Sequence, residues 1–104
     1  MIRVSFRTRQ GVLCGYRITG HAGAGSAGED IVCAAVSSAA YMTANTITDI
    51  LSLPADIAVE DGLMDLTVTG DVTACQALLS GFRMHIEALQ DQYPKRVHLM
   101  NTEV

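Results

Sequence analysis

Apolar and polar residues alternate over residues 2–7 and again over residues 12–19. A period of two is typical of a β-strand with one face buried. Gln10 and Gly11 lie between the two runs and favour a turn. The pattern therefore predicts a β-hairpin, and the buried face of its second strand would carry Val12, Cys14, Tyr16 and Ile18.

Two longer segments place apolar residues at helical spacing. Asp30 is the predicted N-cap of the first helix, which should end near Leu53 and Pro54. Asp71 is the predicted N-cap of the second helix, and Pro94 should close it. The predicted apolar stripes are Val32, Val36, Ala39, Thr43, Ile47 and Ile50 in the first helix and Cys75, Leu78, Leu79, Phe82, Ile86 and Leu89 in the second.

Three further strands complete the predicted fold. Residues 57–60 and 64–69 flank Asp61 and Gly62, a strong hairpin-turn pair, and residues 96–100 form the last strand. The element order is ββαββαβ. Because hairpins dominate this order, we expect an α+β fold with a mostly antiparallel or mixed sheet flanked by two helices. A chain of 104 residues fits a single domain over residues 1–104.

Composition narrows the classes of function. The formal net charge is −4 and no run of Lys or Arg is present, so we expect no direct contact with nucleic acid. Arg3 and Arg7 interrupt the first apolar residues, which argues against a signal peptide. We expect no stretch to be apolar for long enough to cross a membrane. Hydrophobic residues make up 49% of the chain, which is enough for one core.

The three cysteines, Cys14, Cys33 and Cys75, are odd in number and widely spaced. This spacing fits neither a disulfide framework nor a zinc site, and we expect no metal and no other cofactor. A cytoplasmic location is the simplest interpretation, because a reducing compartment keeps thiols free. Cys14 and Cys75 fall on predicted apolar faces and should be buried, whereas His85 and His98 are expected at the surface.

Glycine and alanine make up most of residues 20–28, which join the hairpin to the first helix. With little apolar surface to bury, this segment is predicted to be a mobile loop. Residues 23–28 also match the G-x-G-x-x-G pattern of dinucleotide sites. The preceding strand belongs to a hairpin rather than to a βαβ unit, and the chain is too short for two nucleotide-binding halves, so no nucleotide is expected.

Cys33 is the candidate nucleophile. With Asp30 as the N-cap, Cys33 is the third residue of the helix, where free N–H groups and the helix dipole favour a thiolate and could hold an oxyanion. His21, at the other end of the loop, could take the Cys33 proton. Asp30 could orient His21 or only cap the helix, and Ser37 shares a helix face with Cys33. With three Cys and three His in the chain, a chance pairing without chemistry stays open.

The stretch over residues 20–37 reads GHAGAGSAGEDIVCAAVS. It resembles the signature of the ribosomal-processing cysteine protease family Prp, which is G-H-A-x-x-G-x-x-G-x-D-I-V-C-A followed by a serine. The matching positions are Gly20, His21, Ala22, Gly25, Gly28, Asp30, Ile31, Val32, Cys33 and Ala34. The length and the ββαββαβ order are also similar, so the resemblance covers essentially the whole chain.

The resemblance implies a cysteine endopeptidase that works as a homodimer. Its substrate would be the precursor of a large-subunit ribosomal protein, number twenty-seven, from which it removes an N-terminal extension by a cut that typically follows Phe. Cys33 would be the nucleophile and His21 the general base and acid, with Asp30 and Ser37 at supporting positions. The loop that closes over the peptide would contain Gly20, Ala22, Gly23, Gly25 and Gly28.

Two other functions stay open at this point. A non-catalytic dimeric interaction module could dock a ribosomal or other basic partner through its loop, and it would be indifferent to Cys33. A small-molecule thiol hydrolase with the same two residues would cleave esters or thioesters but not the precursor peptide. Loss of precursor cleavage in a Cys33 variant distinguishes the endopeptidase from the interaction module. Competition between peptide and ester substrates distinguishes the endopeptidase from the small-molecule hydrolase.

Overall fold

A computed structural model describes residues 1–20 and 27–104 of the chain, with the backbone alone for residues 27–30. The strands are β1 (Ile2–Arg9), β2 (Val12–Thr19), β3 (Ala55–Glu60), β4 (Leu63–Val68) and β5 (Val97–Glu103). The helices are α1 (Ala27–Asn45), which continues into a π-helical turn at Thr46–Ile50, and α2 (Gln76–Gln92), which follows a 3-10 turn at Val72–Cys75. The predicted order ββαββαβ is confirmed.

The five strands form one mixed sheet in the order β3-β4-β2-β1-β5. β1 pairs with β2, β2 with β4 and β3 with β4 in antiparallel fashion, whereas β1 and β5 are parallel. Both predicted hairpin turns are present. Gln10 and Gly11 have φ angles of 53° and 77°, as a two-residue type I′ turn requires, and Gly62 has a φ of 73°.

Both helices pack on the same face of the sheet. Tyr16 shows this directly, because its hydroxyl donates to the carbonyl oxygen of Ala40 in α1 at 2.8 Å while its ring lies 4.8 Å from that of Phe82 in α2. The opposite face is polar, and there Arg7 and Arg17 share the carboxylate of Asp65. The sheet and the two helices thus form two layers with one core between them.

The core lies between the sheet and the helices. Phe6, Tyr16 and Phe82 form an aromatic cluster at its centre, with ring centroids 4.8–6.3 Å apart. Burial raises the pKa of the Tyr16 hydroxyl. Each large apolar side chain contributes about 1.5–3 kcal/mol by leaving water. The surrounding buried residues include Ile2, Val4, Val32, Val36, Ala40, Ile47, Leu66, Leu79, Ile86 and Val97.

The predicted end of the first helix and start of the second are close to those observed. The chain leaves the helical conformation in a π-turn, in which the Leu51 N–H donates to the Thr46 carbonyl oxygen at 2.8 Å, shortly before Pro54. The side chain of Asp71 accepts from the Thr73 N–H at 3.0 Å, so it caps the 3-10 turn that leads into α2. The π-turn fixes where the chain re-enters the sheet at β3, and the Asp71 cap fixes where the chain leaves the sheet after β4.

Two positions differ from the predicted apolar faces. A β-bulge in the β1–β2 pair inserts Cys14 as an extra residue, so that Leu13 is buried and Val12 is exposed. The π-turn shifts the helical register by one residue, and Ile50 is consequently 75% exposed instead of lying on the stripe. Local irregularities of this kind change which side chain faces the core without changing the fold.

The prediction that no stretch is apolar for long enough to cross a membrane was wrong. By length and composition alone, the helical stretch Ile31–Ile50 is long and apolar enough to do so. The core helix of a globular domain passes the same test. Here Val32, Val36, Ala40 and Ile47 are fully buried against the sheet and α2, as in such a core helix.

Candidate active site

A cleft lies between α1 and the end of the sheet where β2 finishes and β4 begins. Its volume is about 270 Å³. Cys33 and Ser37 form part of the wall on α1, Gly20 lies at the end of β2, and the turn between β3 and β4 closes the opposite side. The apolar floor consists of Ile2, Ile18, Val36, Ala40, Leu63 and Met64.

Cys33 differs from the other two thiols in its exposure. Cys14 and Cys75 are 2% and 0% exposed, as predicted, whereas Cys33 is half-buried and lines the cleft. The Cys14 thiol donates to the Arg7 carbonyl oxygen at 3.5 Å and the Cys75 thiol to that of Val72 at 3.3 Å. Burial raises the pKa of the Cys75 thiol. Among the described residues, Cys33 therefore presents the one thiol available to a ligand in the cleft.

The predicted place of Cys33 within its helix was wrong. α1 begins at Ala27 rather than after Asp30, so Cys33 is the seventh helical residue and Asp30 the fourth. Ala27 and Glu29 both favour the extra turn, since alanine is the best helix former and an acidic residue suits the first turn. The Cys33 N–H lies beyond the four unpaired amides of the helix start and belongs to the internal hydrogen-bond ladder. An oxyanion site formed by the first-turn amides would therefore lie at the start of α1, near Ala27, and not at Cys33.

The start of α1 also changes the extent of the predicted loop. Gly28 lies in the helix and not in a loop. One glycine weakens a helix by only about 0.5–1 kcal/mol, which the packing of the rest of α1 can offset. His21, Ala22, Gly23 and Gly25 lie outside the described residues, as does the side chain of Asp30. Their proposed roles stay predictions.

Gly20 fixes the point at which the chain leaves the sheet beside the cleft. Its N–H donates to the Gly62 carbonyl oxygen at 3.1 Å, which ties β2 to the β3–β4 turn. Its φ of 94° suits glycine alone, and a Cβ there would lie 2.2 Å from the Met1 carbonyl oxygen. Gly20 is thus an anchored position at the edge of the predicted loop, on the wall of the cleft that contains Cys33.

Several cleft residues were not predicted from the sequence. Tyr41 lies one helical turn after Ser37 and two turns after Cys33, and this spacing places all three on one face of α1. The helical period could have identified Tyr41. Val59, Glu60 and Asp61 come from the distant β3–β4 hairpin, and only the strand order brings them to the cleft. The sequence pattern carries no signal for that proximity.

The remaining candidates for chemistry lie elsewhere. His85 and His98 are exposed, as expected. Within residues 1–20 and 27–104, no group of three or more His, Cys, Asp or Glu side chains is placed to hold a metal ion. Among the described residues, those that line the cleft and carry a reactive or ionisable side chain are Cys33, Ser37, Tyr41, Glu60 and Asp61.

Solved structures of other proteins share this fold over almost their whole length. SMU.848 from Streptococcus mutans has a TM-score of 0.88 and 28% identity, with 100% of this chain and 96% of that chain covered. The ribosomal processing protease Prp from S. aureus, in complex with a covalently linked product peptide, has a TM-score of 0.86 and 25% identity, with coverage of 98% and 100%. The same protease with a substrate peptide has a TM-score of 0.87 at 24% identity, and coverage is again 98% and 100%.

No curated protein matches the chain. The family model described as cysteine protease Prp matches residues 1–98, which include Gly20, Cys33, Ser37 and every strand of the sheet except the end of β5. Because this match spans nearly the whole chain and includes the cleft, the chain belongs to the cysteine protease Prp family.

Proposed function

We propose that the chain is a cysteine endopeptidase that removes the N-terminal extension of a large-subunit ribosomal protein, number twenty-seven, from its precursor. In this proposal Cys33 is the nucleophile and His21 is the general base and acid. One observation carries it: in a member of the cysteine protease Prp family, the half-buried thiol of Cys33 lines a cleft while Cys14 and Cys75 are buried. A buried thiol cannot reach a peptide bond, and this leaves Cys33.

The chemistry has two stages. His21 accepts the Cys33 proton, and the thiolate attacks the scissile carbonyl carbon to form a tetrahedral oxyanion. The C–N bond then breaks, the leaving amine takes the proton from His21, and a thioester joins the N-terminal product to Cys33. Water, deprotonated by His21, hydrolyses this thioester and restores the thiol. No redox partner or metal is required by these steps.

The described residues support His21 as the partner of Cys33. His21 is the next residue after Gly20, and Gly20 lines the same cleft as Cys33. Gly20 is held in place by its hydrogen bond to Gly62. The chain therefore enters the segment that contains His21 from the wall of the cleft. Ser37 lines the cleft one turn after Cys33, where its hydroxyl could hydrogen-bond to a bound peptide.

The S. aureus Prp complexes support a peptide as the substrate. That protease is described as a ribosomal processing protease, and it has been captured with a substrate peptide and with a covalently linked product peptide. A product joined covalently to the enzyme is what nucleophilic catalysis predicts. The apolar floor of the present cleft, with Ile2, Ile18 and Val36 among its residues, suits an apolar side chain beside the scissile bond.

We extend the proposal to a homodimer in the cytoplasm, as the resemblance of the sequence implies. A groove of about 590 Å³ lies between the outer surfaces of α1 and α2 and is lined by Ala39, Met42, Leu78 and Phe82, among others. Met42 is 59% exposed there. An apolar groove on an outer helical surface supports a protein contact at this place. Light scattering coupled to size exclusion measures the mass in solution.

Incubation with a precursor peptide and mass spectrometry tests the activity. The wild-type chain should release the extension, and Cys33→Ala and His21→Ala should each abolish the cleavage while the circular dichroism spectrum stays unchanged. Cys75→Ala is the matched control for loss of a thiol, and His85→Ala for loss of an imidazole. Both controls should retain cleavage. Full cleavage by Cys33→Ala would end the proposal.

The same assay distinguishes the two other functions. Binding of the precursor without cleavage, with equal affinity in wild type and Cys33→Ala, would identify a non-catalytic interaction module. Hydrolysis of small esters or thioesters without cleavage of the peptide would identify a small-molecule hydrolase. The proposal requires that the peptide is cut and that it competes with an ester substrate for the Cys33 thiol.

A further inference from the structure

β3 is an edge strand of the sheet. Within the described part of the chain it pairs with β4 alone, and its other side faces no strand. Five of its six residues are exposed. In an antiparallel pair, half of the N–H and C=O groups of an edge strand point away from its neighbour. β3 therefore presents a row of backbone donors and acceptors to an incoming chain.

The two faces of β3 differ in chemistry. Ile57 pairs with Leu66 and Val59 with Met64, both of which are buried, so Ile57 and Val59 lie on the face that the helices cover. They are nevertheless 44% and 51% exposed, because the helices do not cover the sheet as far as this edge. Asp56 and Glu60 lie on the opposite, polar face and are exposed. β3 has no cationic residue.

The edge leads directly into the candidate active site. Val59 and Glu60, at the end of β3, line the cleft that contains Cys33, and Tyr41 lines it from α1. A strand laid along β3 would therefore lead to the cleft that contains Cys33. The exposed apolar side chains of β3 and the cleft form one continuous surface.

The charge of β3 argues against a second copy of this chain as the occupant. Antiparallel pairing of two β3 strands centred on Ala58 would place Asp56 directly opposite Glu60 of the other copy, on both sides of the centre. Like charges in directly opposed positions destabilise a strand pair. No register supplies an opposite charge, since β3 carries only acidic charged residues. The complementary occupant is a basic polypeptide.

We propose that the peptide substrate binds as an additional strand on the free edge of β3. Its apolar side chains would lie over Ile57 and Val59, and the alternate side chains would be basic and lie over Asp56 and Glu60. Backbone hydrogen bonds to β3 supply the affinity, and the alternating side chains supply the specificity. This deepens the proposed function and rests on it only for the identification of the bound peptide as substrate.

Binding to the inactive Cys33→Ala variant tests this docking without requiring cleavage. The probes are two synthetic peptides of about eight residues, a typical strand length, one alternating Val with Lys and the other Val with Glu. At low salt the lysine peptide should bind at least about tenfold more tightly, and the preference should shrink as salt is added. Amide exchange measured by NMR should slow at every second residue of β3, because only the outward N–H groups gain a partner.

A double variant, Asp56→Asn with Glu60→Gln, tests the specificity. It should remove most of the preference for the lysine peptide, while the control Asp91→Asn, an exposed carboxylate on α2, should leave it unchanged. Equal affinity of the two peptides, or unchanged exchange in β3, would overturn the docking model. So would slowed β3 exchange that depends on protein concentration without peptide, since a second copy would then occupy the edge.

Cleavage by the wild-type chain is scored separately from this docking. If the lysine peptide protects β3 in Cys33→Ala and no precursor peptide is cut by the wild type, the docking model stands and the proposed function fails. If the precursor is cut without any effect on β3, the proposed function stands and the docking model fails.

Discussion

Iodoacetamide should alkylate Cys33 much faster than Cys14 or Cys75 in the folded protein. Cys33 is half-buried at the cleft, whereas Cys14 is 2% and Cys75 is 0% exposed. A thiol in the core reacts only after its segment opens, and openings of core elements cost up to the full stability. An opening of about 3 kcal/mol already slows labelling by a factor of about 100 to 200. We expect at least that ratio.

The labelling rates can be read for each cysteine separately. Samples are quenched after different times and digested, and mass spectrometry quantifies the three cysteine-containing peptides. The same reaction in denaturant is the internal control, since there all three thiols are accessible and should react at similar rates. Equal rates in the folded protein would refute the argument that burial separates Cys33 from the other two.

His21→Ala separates accessibility from activation in the same assay. If His21 accepts the Cys33 proton, the variant should label more slowly at Cys33 near neutral pH, with Cys14 and Cys75 unaffected. His85→Ala, on the exposed surface of α2, is the matched control. An unchanged Cys33 rate in His21→Ala would contradict the proposed role of His21 and leave the burial argument intact.

Two further predictions concern stability. Gly20→Ala should lower the free energy of unfolding by about 1–3 kcal/mol, since the φ of 94° and the Met1 carbonyl oxygen both oppose a Cβ. Gly81→Ala, in open space within α2, should raise the free energy of unfolding by about 0.5–1 kcal/mol. Melting temperatures that change in the same direction in both variants would contradict this. Hydrogen bonds from Arg7 hold the pKa of Asp65 below its usual value of 3.8. The Asp65 carboxylate therefore stabilises the folded state at pH values above 3.8, and this stabilisation is lost as the pH falls through the lowered pKa. Asp65→Asn should therefore cost roughly 1–2 kcal/mol near neutral pH, and denaturant titrations should show the cost shrinking below about pH 4; a cost independent of pH would show that the charge of Asp65 is unimportant.

Regular periodicity predicted most of the fold. Both hairpins, both helices and the closing strand follow from alternation, helical spacing and turn pairs such as Asp61 and Gly62, because each of these signals is local. The burial of Cys14 and Cys75 followed from the same patterns. The packing of both helices on one face of the sheet did not, since that depends on how Phe82 and Ala40 meet Tyr16 across the core.

Irregular backbone explains where the prediction of the buried faces was wrong. A bulge at Cys14 places Leu13 inside and Val12 outside, and a π-turn exposes Ile50. Each inserts one residue into a regular ladder, and composition does not mark such an insertion. The contribution of Val59 and Glu60 to the cleft could not be predicted from the sequence either, because strand order is a property of the whole chain.

The position of Cys33 on α1 means that its proposed reactivity must come from a group other than the start of the helix. At the seventh helical residue, its amide belongs to the hydrogen-bond ladder, and the dipole effect has faded beyond the first turn. The helix thus supplies position and not activation: it holds Cys33 and Ser37 along one wall of the cleft. In the proposed mechanism the proton acceptor is His21, in the segment that follows Gly20. Because no helix terminus shares this task, the proposed mechanism requires that loss of His21 abolishes cleavage and does not merely slow it.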